Sequence, residues 1–173
     1  MTFLRSTLAS VLCVLLISMA APAALAQETG VVEGQVLDIL WEGRELTEEE
    51  LRRMHLLKTG SLLGACCETG ALLAGASPEA VSKLREYGQG LGLAFQIRDD
   101  LLSYESTEEQ MGKTLGIDEA KEKPTYARLL GVDNAHLRLE QTLSRQLAII
   151  ADLELPQRGL LREITAWVGR RER

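Results

Sequence analysis

Aromatic residues make up only 4% of the 173 residues, which leaves few rings on which nucleic-acid bases could stack. Basic residues are outnumbered: 19 Lys and Arg stand against 25 Asp and Glu, a net charge of −6. Non-specific nucleic-acid binding needs Lys and Arg to displace phosphate counterions, so no nucleic-acid partner is expected. Proline is scarce, with four in the chain and none in residues 31–76, which suits long helices. Strand-forming residues nowhere alternate for long, so sheets are not indicated. The three cysteines, Cys13, Cys66 and Cys67, lack Cys-x-x-Cys or His spacing, which argues against a zinc site. Neighbouring Cys66 and Cys67 cannot pair without severe strain. They read as small core residues of a helix. What remains is 46% apolar and 25% charged residues, the composition of one globular domain with its own core. The class is all-α.

The N-terminus carries a conflict. One basic residue, Arg5, precedes an apolar run over residues 7–20, and Ala24-Leu25-Ala26 follows Pro22. That is the pattern of a secretory signal with a cleavage point after Ala26, and the run is short for a membrane span. The competing readings are an apolar core helix of the fold, or the wrong start of a truncated gene. Residues 1–26 are therefore set apart as a signal-like or apolar segment, ahead of a domain over residues 27–173.

Helix signals then follow one another. Residues 31–41 form a candidate helix ending near Gly43. Thr47-x-x-Glu50 is a capping box, and the helix it opens runs through Leu51, Met54, Leu57, Leu62, Leu63 and Ala65 towards Leu73. Gly60, Gly64 and Gly70 inside it would admit another backbone or a ligand. Ser77-Pro78 caps a helix with Val81, Leu84, Tyr87, Leu91, Ala94, Ile97 and Leu101 at a period of 3.6. Residues 105–124 are polar and read as a loop with at most a short helix. Residues 125–130, 134–151 and 157–170 are the last helical stretches.

The chemistry gathers on Phe95-Gln96-Ile97-Arg98-Asp99-Asp100. Gln96, Asp99, Asp100 and Ser103 recur at helical spacing on one face. Two adjacent carboxylates repel each other and resist desolvation, and a cation removes both penalties. Mg²⁺ takes carboxylate oxygens and leaves positions for substrate phosphates. The bland alternative is a solvated helix end. Lys58-Thr59-Gly60, Gly112-Lys113-Thr114 and Lys123-Pro124-Thr125-Tyr126 add cations, and Gly34-Gln35-x-x-Asp38 adds a carboxylate and a second amide. Together they would form a Mg²⁺–diphosphate cradle, with the lysines as point charges on phosphate oxygens.

These motifs, in this order, resemble the C-terminal half of the trans-polyprenyl diphosphate synthases, of the farnesyl/geranyl diphosphate synthase type. The resemblance implies an isoprenoid-synthase-like helical bundle around a deep cavity. It implies Mg²⁺-dependent prenyl transfer from an allylic diphosphate to isopentenyl diphosphate. It assigns Asp99 and Asp100 as Mg²⁺ ligands. Lys58, Thr59, Gln96 and Lys113 carry catalytic assignments. The same four residues, with Lys123 and Phe95, would bind substrate, the lysines on the diphosphate and Phe95 at the prenyl chain. The family's second motif is Asp-Asp-x-x-Asp, and Ser103 stands at its last position here. The first Asp-rich motif should lie upstream of Gly34, yet Met1–Gln27 contains no Asp. The expectation is thus a truncated bundle lacking the N-terminal helices, impaired alone, and either homo-oligomeric or completed by a partner chain. The alternative is a non-catalytic helical relative that binds or oligomerises. The substrates point to the cytoplasm, and the N-terminal pattern to export.

Overall fold

The computed structural model describes residues 22–111, 123–155 and 158–172, with side chains from residue 30 and outside 106–111. Among these residues the chain forms helices and no strand. They are α1 (Pro22–Leu40), α2 (Glu48–His55), α3 (Ser61–Leu73), α4 (Pro78–Met111), α5 (Tyr126–Leu130), α6 (Val132–Ala151) and α7 (Arg158–Arg170). A π turn over Leu56–Gly60 joins α2 to α3. No described helix is long and apolar enough to cross a membrane.

Helix α4 is the axis of the bundle. It packs against α3, the π turn, α6 and α7. Its middle is therefore largely apolar: Leu91, Leu93, Ala94, Ile97 and Leu101 are all buried, as packing on several sides requires. The Tyr87 hydroxyl ties α4 to α7, meeting the Leu161 carbonyl and the Thr165 hydroxyl, each at 3.0 Å.

Local signals explain the helix ends. The Thr47 hydroxyl accepts from the Glu50 N–H at 3.3 Å, and the Glu50 carboxylate accepts from the Thr47 N–H at 2.8 Å. This is the capping box expected from the sequence. Ser77 caps α4 through the Ala80 N–H at 3.2 Å. Gly131, at φ +80°, turns the chain between α5 and α6.

Four expectations change. The first described helix starts at Pro22, well ahead of residue 31. Helix α4 continues to Met111, through the start of the stretch read as loop. Cys66 is exposed rather than in the core, although Cys67 is partly buried. The helix opened by Thr47 is interrupted: the Ser61 N–H bonds to the Leu56 carbonyl, five residues back. Before the π turn, Leu51, Met54 and His55 are buried; at its last residue and beyond, Gly60, Gly64 and Ala71 are. The inward face changes sides, which is why Leu62 lies 55% exposed.

Glycines set the spacing around that turn. A Cβ at Gly34 would lie 2.2 Å from the Lys58 nitrogen, and one at Gly92 would lie 2.6 Å from the Gly60 Cα. Backbones of α1 and α4 thus press onto the two sides of the Lys58-Thr59-Gly60 segment. Gly70 has open space instead.

Candidate functional site

The contact at Gly34 places Asp38, one turn further along α1, against the π turn. The Lys58 ammonium donates to Asp38 Oδ2 at 2.7 Å. Lys123 approaches the same oxygen at 3.9 Å and Glu42 Oε1 at 3.3 Å. The Asp38 side chain is 12% exposed and that of Lys58 28%, so their attraction is less screened than at an open surface. Two lysines from distant segments therefore converge on one carboxylate. Gln35, which the sequence offered as a companion to Asp38, is exposed on α1. Thr59 is half-buried and Gln96 is buried. Lys113 lies outside the described residues.

The aspartate pair of α4 divides. Asp100 Oδ2 accepts from the Tyr126 N–H at 2.9 Å and lies 3.1 Å from His55 Nε2. The other ring nitrogen, His55 Nδ1, is buried with no partner among the described residues. The imidazole also stacks on the Tyr126 ring, with centroids 5.8 Å apart. Burial first, and then the Glu48 carboxylate, push the Tyr126 phenol well above its ordinary range, so it stays neutral. Asp99, one residue earlier and about 100° around the helix, pairs instead with the Arg171 guanidinium. Its side chain is 51% exposed. Arg171 also lies 3.9 Å above the Phe95 ring, a favourable cation–π geometry. The Arg171 carbonyl accepts from Arg98 Nε at 2.8 Å, which holds the C-terminal segment against α4.

Asp99 and Asp100 thus do not converge on one point in this arrangement. No group of three or more His, Cys, Asp or Glu that could hold a metal occurs among the described residues. The donor set still suits Mg²⁺, which commonly takes one or two protein carboxylates and fills its other positions with water and substrate phosphate. Asp99 is the accessible carboxylate of the pair.

The motifs in this order, on this bundle, match known proteins. The family model "Polyprenyl synthetase" matches residues 5–154. The chain belongs to the polyprenyl synthetase family. The match takes in the whole of the apolar run over residues 7–20. Farnesyl diphosphate synthase of Bacillus subtilis is 40% identical over 143 residues, which are 83% of this chain and 48% of that protein. Geranylgeranyl diphosphate synthase of Cyanophora paradoxa is 44% identical over 108 residues, 62% of this chain and 36% of that one. The chain thus spans less than half the length of these relatives. Among solved structures, heptaprenyl diphosphate synthase of Staphylococcus aureus superposes with a TM-score of 0.75 at 24% identity, covering 86% of this chain and 58% of that one. It shares the all-α fold of this polyprenyl synthetase. A geranyltransferase of Helicobacter pylori, complexed with magnesium and isoprenyl diphosphate, is 30% identical with a TM-score of 0.62, over 81% of this chain and 46% of its own.

Residue patterns alone missed two members of this candidate site, His55 and Arg171. Asp38 was read as a carboxylate of the cradle, but its link to Lys58 needs the Gly34 contact. His55 carried a signal, since it sits three residues before Lys58. Arg171 comes from the last turn beyond α7 and had none.

Proposed function

We propose that this polyprenyl synthetase chain binds the diphosphate of an allylic substrate together with Mg²⁺, and serves prenyl transfer to isopentenyl diphosphate in isoprenoid biosynthesis. The observation that carries this reading is the convergence of Lys58 and Lys123 on Asp38 beside the network that anchors the Asp99-Asp100 pair. Lys58 and Lys123 face two carboxylates, Asp38 and Glu42, and a diphosphate outcompetes a carboxylate for each ammonium by its greater charge. Lys113 belongs with them on the resemblance. Asp99 would hold Mg²⁺, which supplies stabilisation of the charge that builds on a departing diphosphate. The lysines act on that same charge from fixed positions, and fixed donors need no reorganisation as the carbon–oxygen bond breaks. Gln96 and Thr59 line the segments that carry these groups, and Phe95 offers an apolar surface to the prenyl chain. The work belongs in the cytoplasm, with its diphosphate substrates; a mature chain beginning at Gln27 would overturn that placement.

Calorimetric titration of the purified chain with geranyl diphosphate tests the reading. Binding is expected with Mg²⁺, lost with EDTA, and weakened by Lys58→Ala and Asp99→Ala. Binding indifferent to both substitutions sinks it. A second reading is favoured by apolar side chains left exposed on α1, α3 and α7, among them Val32, Ile39, Leu72 and Trp167. In it the chain is a helical module that binds or oligomerises without turnover. Light scattering separates the two: this reading requires an oligomer at micromolar concentration and no binding that depends on Mg²⁺.

A further inference from the structure

We infer that His55 is a positioning residue that holds the diphosphate-binding lysines and the aspartate pair in one register. The inference rests on the function proposed above, but its geometry stands apart from it. His55 is 3% exposed, an unusual place for a side chain with two polar nitrogens unless it has a partner. One imidazole meets three separate stretches of chain. It sits on α2, three residues before Lys58, so its own backbone leads into the π turn. Its Nε2 faces Asp100 Oδ2 of α4 at 3.1 Å. Its ring stacks on Tyr126, whose N–H donates to that same oxygen at 2.9 Å, three residues after Lys123.

Asp100 is thereby a hub rather than an open ligand. A carboxylate sandwiched between an imidazole and a backbone N–H is orientationally fixed, because both donors constrain one oxygen. Fixing Asp100 fixes the turn of α4 that carries Asp99. Fixing the Tyr126 N–H fixes the start of α5 and the approach of Lys123 to Asp38. Remove the imidazole nitrogens and the Tyr126 N–H keeps its acceptor, but that acceptor loses its second restraint. Partners that orient a metal-site carboxylate typically cost about 10–100-fold in metal affinity or activity when removed.

The test uses the full chain and two variants. His55→Phe keeps a stacking ring and deletes both nitrogens. His55→Gln returns a side-chain N–H near the position of Nε2. The first readout is hydrogen exchange at the Tyr126 amide without any ligand, followed by NMR. His55→Phe is expected to speed that exchange by at least about tenfold while amides in the middle of α4 keep their rates, and His55→Gln to restore most of the protection. The second readout is calorimetric binding of geranyl diphosphate with Mg²⁺, with a loss of about 10–100-fold in His55→Phe and recovery in His55→Gln. A Tyr126 amide that exchanges at the wild-type rate in folded His55→Phe overturns the inference, as does unchanged binding. If His55→Phe fails to fold, His55→Gln carries the test against His55→Leu, which has neither ring nor donor. If both apolar variants fail, the wild-type Tyr126 amide decides, since one as unprotected as a free helix start overturns the inference. Absence of geranyl diphosphate binding in the wild type would fail the proposed function, and the exchange result would still judge His55.

Discussion

A single methyl group at Gly34 is the sharpest probe of how α1 meets the π turn. In Gly34→Ala the new Cβ would fall 2.2 Å from the Lys58 nitrogen, 2.6 Å from its Cα and 2.7 Å from the Leu57 carbonyl carbon. All three atoms are backbone, so no side chain can swing away. Ordinary carbon contacts sit near ~3.5–4.0 Å, so the two segments must separate by roughly 1–1.5 Å. Overpacking of this kind costs ~1–3 kcal/mol, occasionally more, and a clash with backbone belongs at the upper end. Alanine returns about 1 kcal/mol of helix propensity. The net loss is therefore about 2 kcal/mol, a fall of about 1 M in the urea midpoint for a typical slope of ~2 kcal/mol/M. Gly70→Ala is the matched control, since a Cβ there meets nothing within 4 Å. It should gain up to about 1 kcal/mol. Urea melts of the three proteins check the pair. The reasoning is refuted if Gly34→Ala melts at or above the wild-type midpoint. The same shift would carry Asp38 away from Lys58, and displacements near 1 Å cost up to about 10²-fold in sites that depend on positioning. Binding of geranyl diphosphate should therefore fall in Gly34→Ala and hold in Gly70→Ala.

Three further outcomes are expected. Arg171→Ala frees Asp99 of its cation, so the Mg²⁺ concentration for half-maximal diphosphate binding should drop, and a rise would contradict the assignment of Asp99. Burial first, and then neighbouring Cys66, push the Cys67 thiol up to about 11, so iodoacetamide at pH 8 should modify exposed Cys66 well before Cys67; site-resolved mass spectrometry showing equal rates would contradict this. The Thr47 backbone N–H, and next its hydroxyl, hold the Glu50 carboxyl below its ordinary 4.5. A depressed folded-state value makes that contribution present above pH 4.5 and lost as pH falls through the folded value. Thr47→Ala keeps the backbone N–H and removes the hydroxyl, so the stability gap from wild type should shrink in acid by the hydroxyl's share, and a gap that is constant with pH argues against the bond from the Thr47 hydroxyl to the Glu50 carboxylate.

Much of the bundle was legible because its signals are local. The Thr47–Glu50 box, the Ser77-Pro78 start and the apolar spacing of α4 depend on neighbours within a turn, and the structure follows each. Periodicity failed at residues 56–60. A π turn leaves no compositional mark, so counting at 3.6 residues per turn carried the inward face past Gly60 and onto Leu62. The length of α4 beyond Glu105 was missed because its last turns are polar, and polarity resembles loop. For the site, the residue types were visible as charges out of place in apolar stretches. Their pairing was not. That Asp38 would meet Lys58 depends on Gly34 letting two backbones touch, and that Asp99 and Asp100 would take different partners depends on Arg171 and Tyr126, which lie 72 and 26 residues away.

The π turn also bears on how this chain tolerates change in length. Surface loops absorb a lost or added residue with small cost. Leu56–Gly60 cannot, because its surplus residue is what sets the rotation between α2 and α3. Deleting one residue there would restore a regular helix and turn one half against the other by about 100°. Leu51, Met54 and His55 would then swing from beneath α4, or Gly60 and Gly64 would leave it. The segment works as a fixed gear between two helices, and sequences that share this site should vary in length on either side of it before they vary within it.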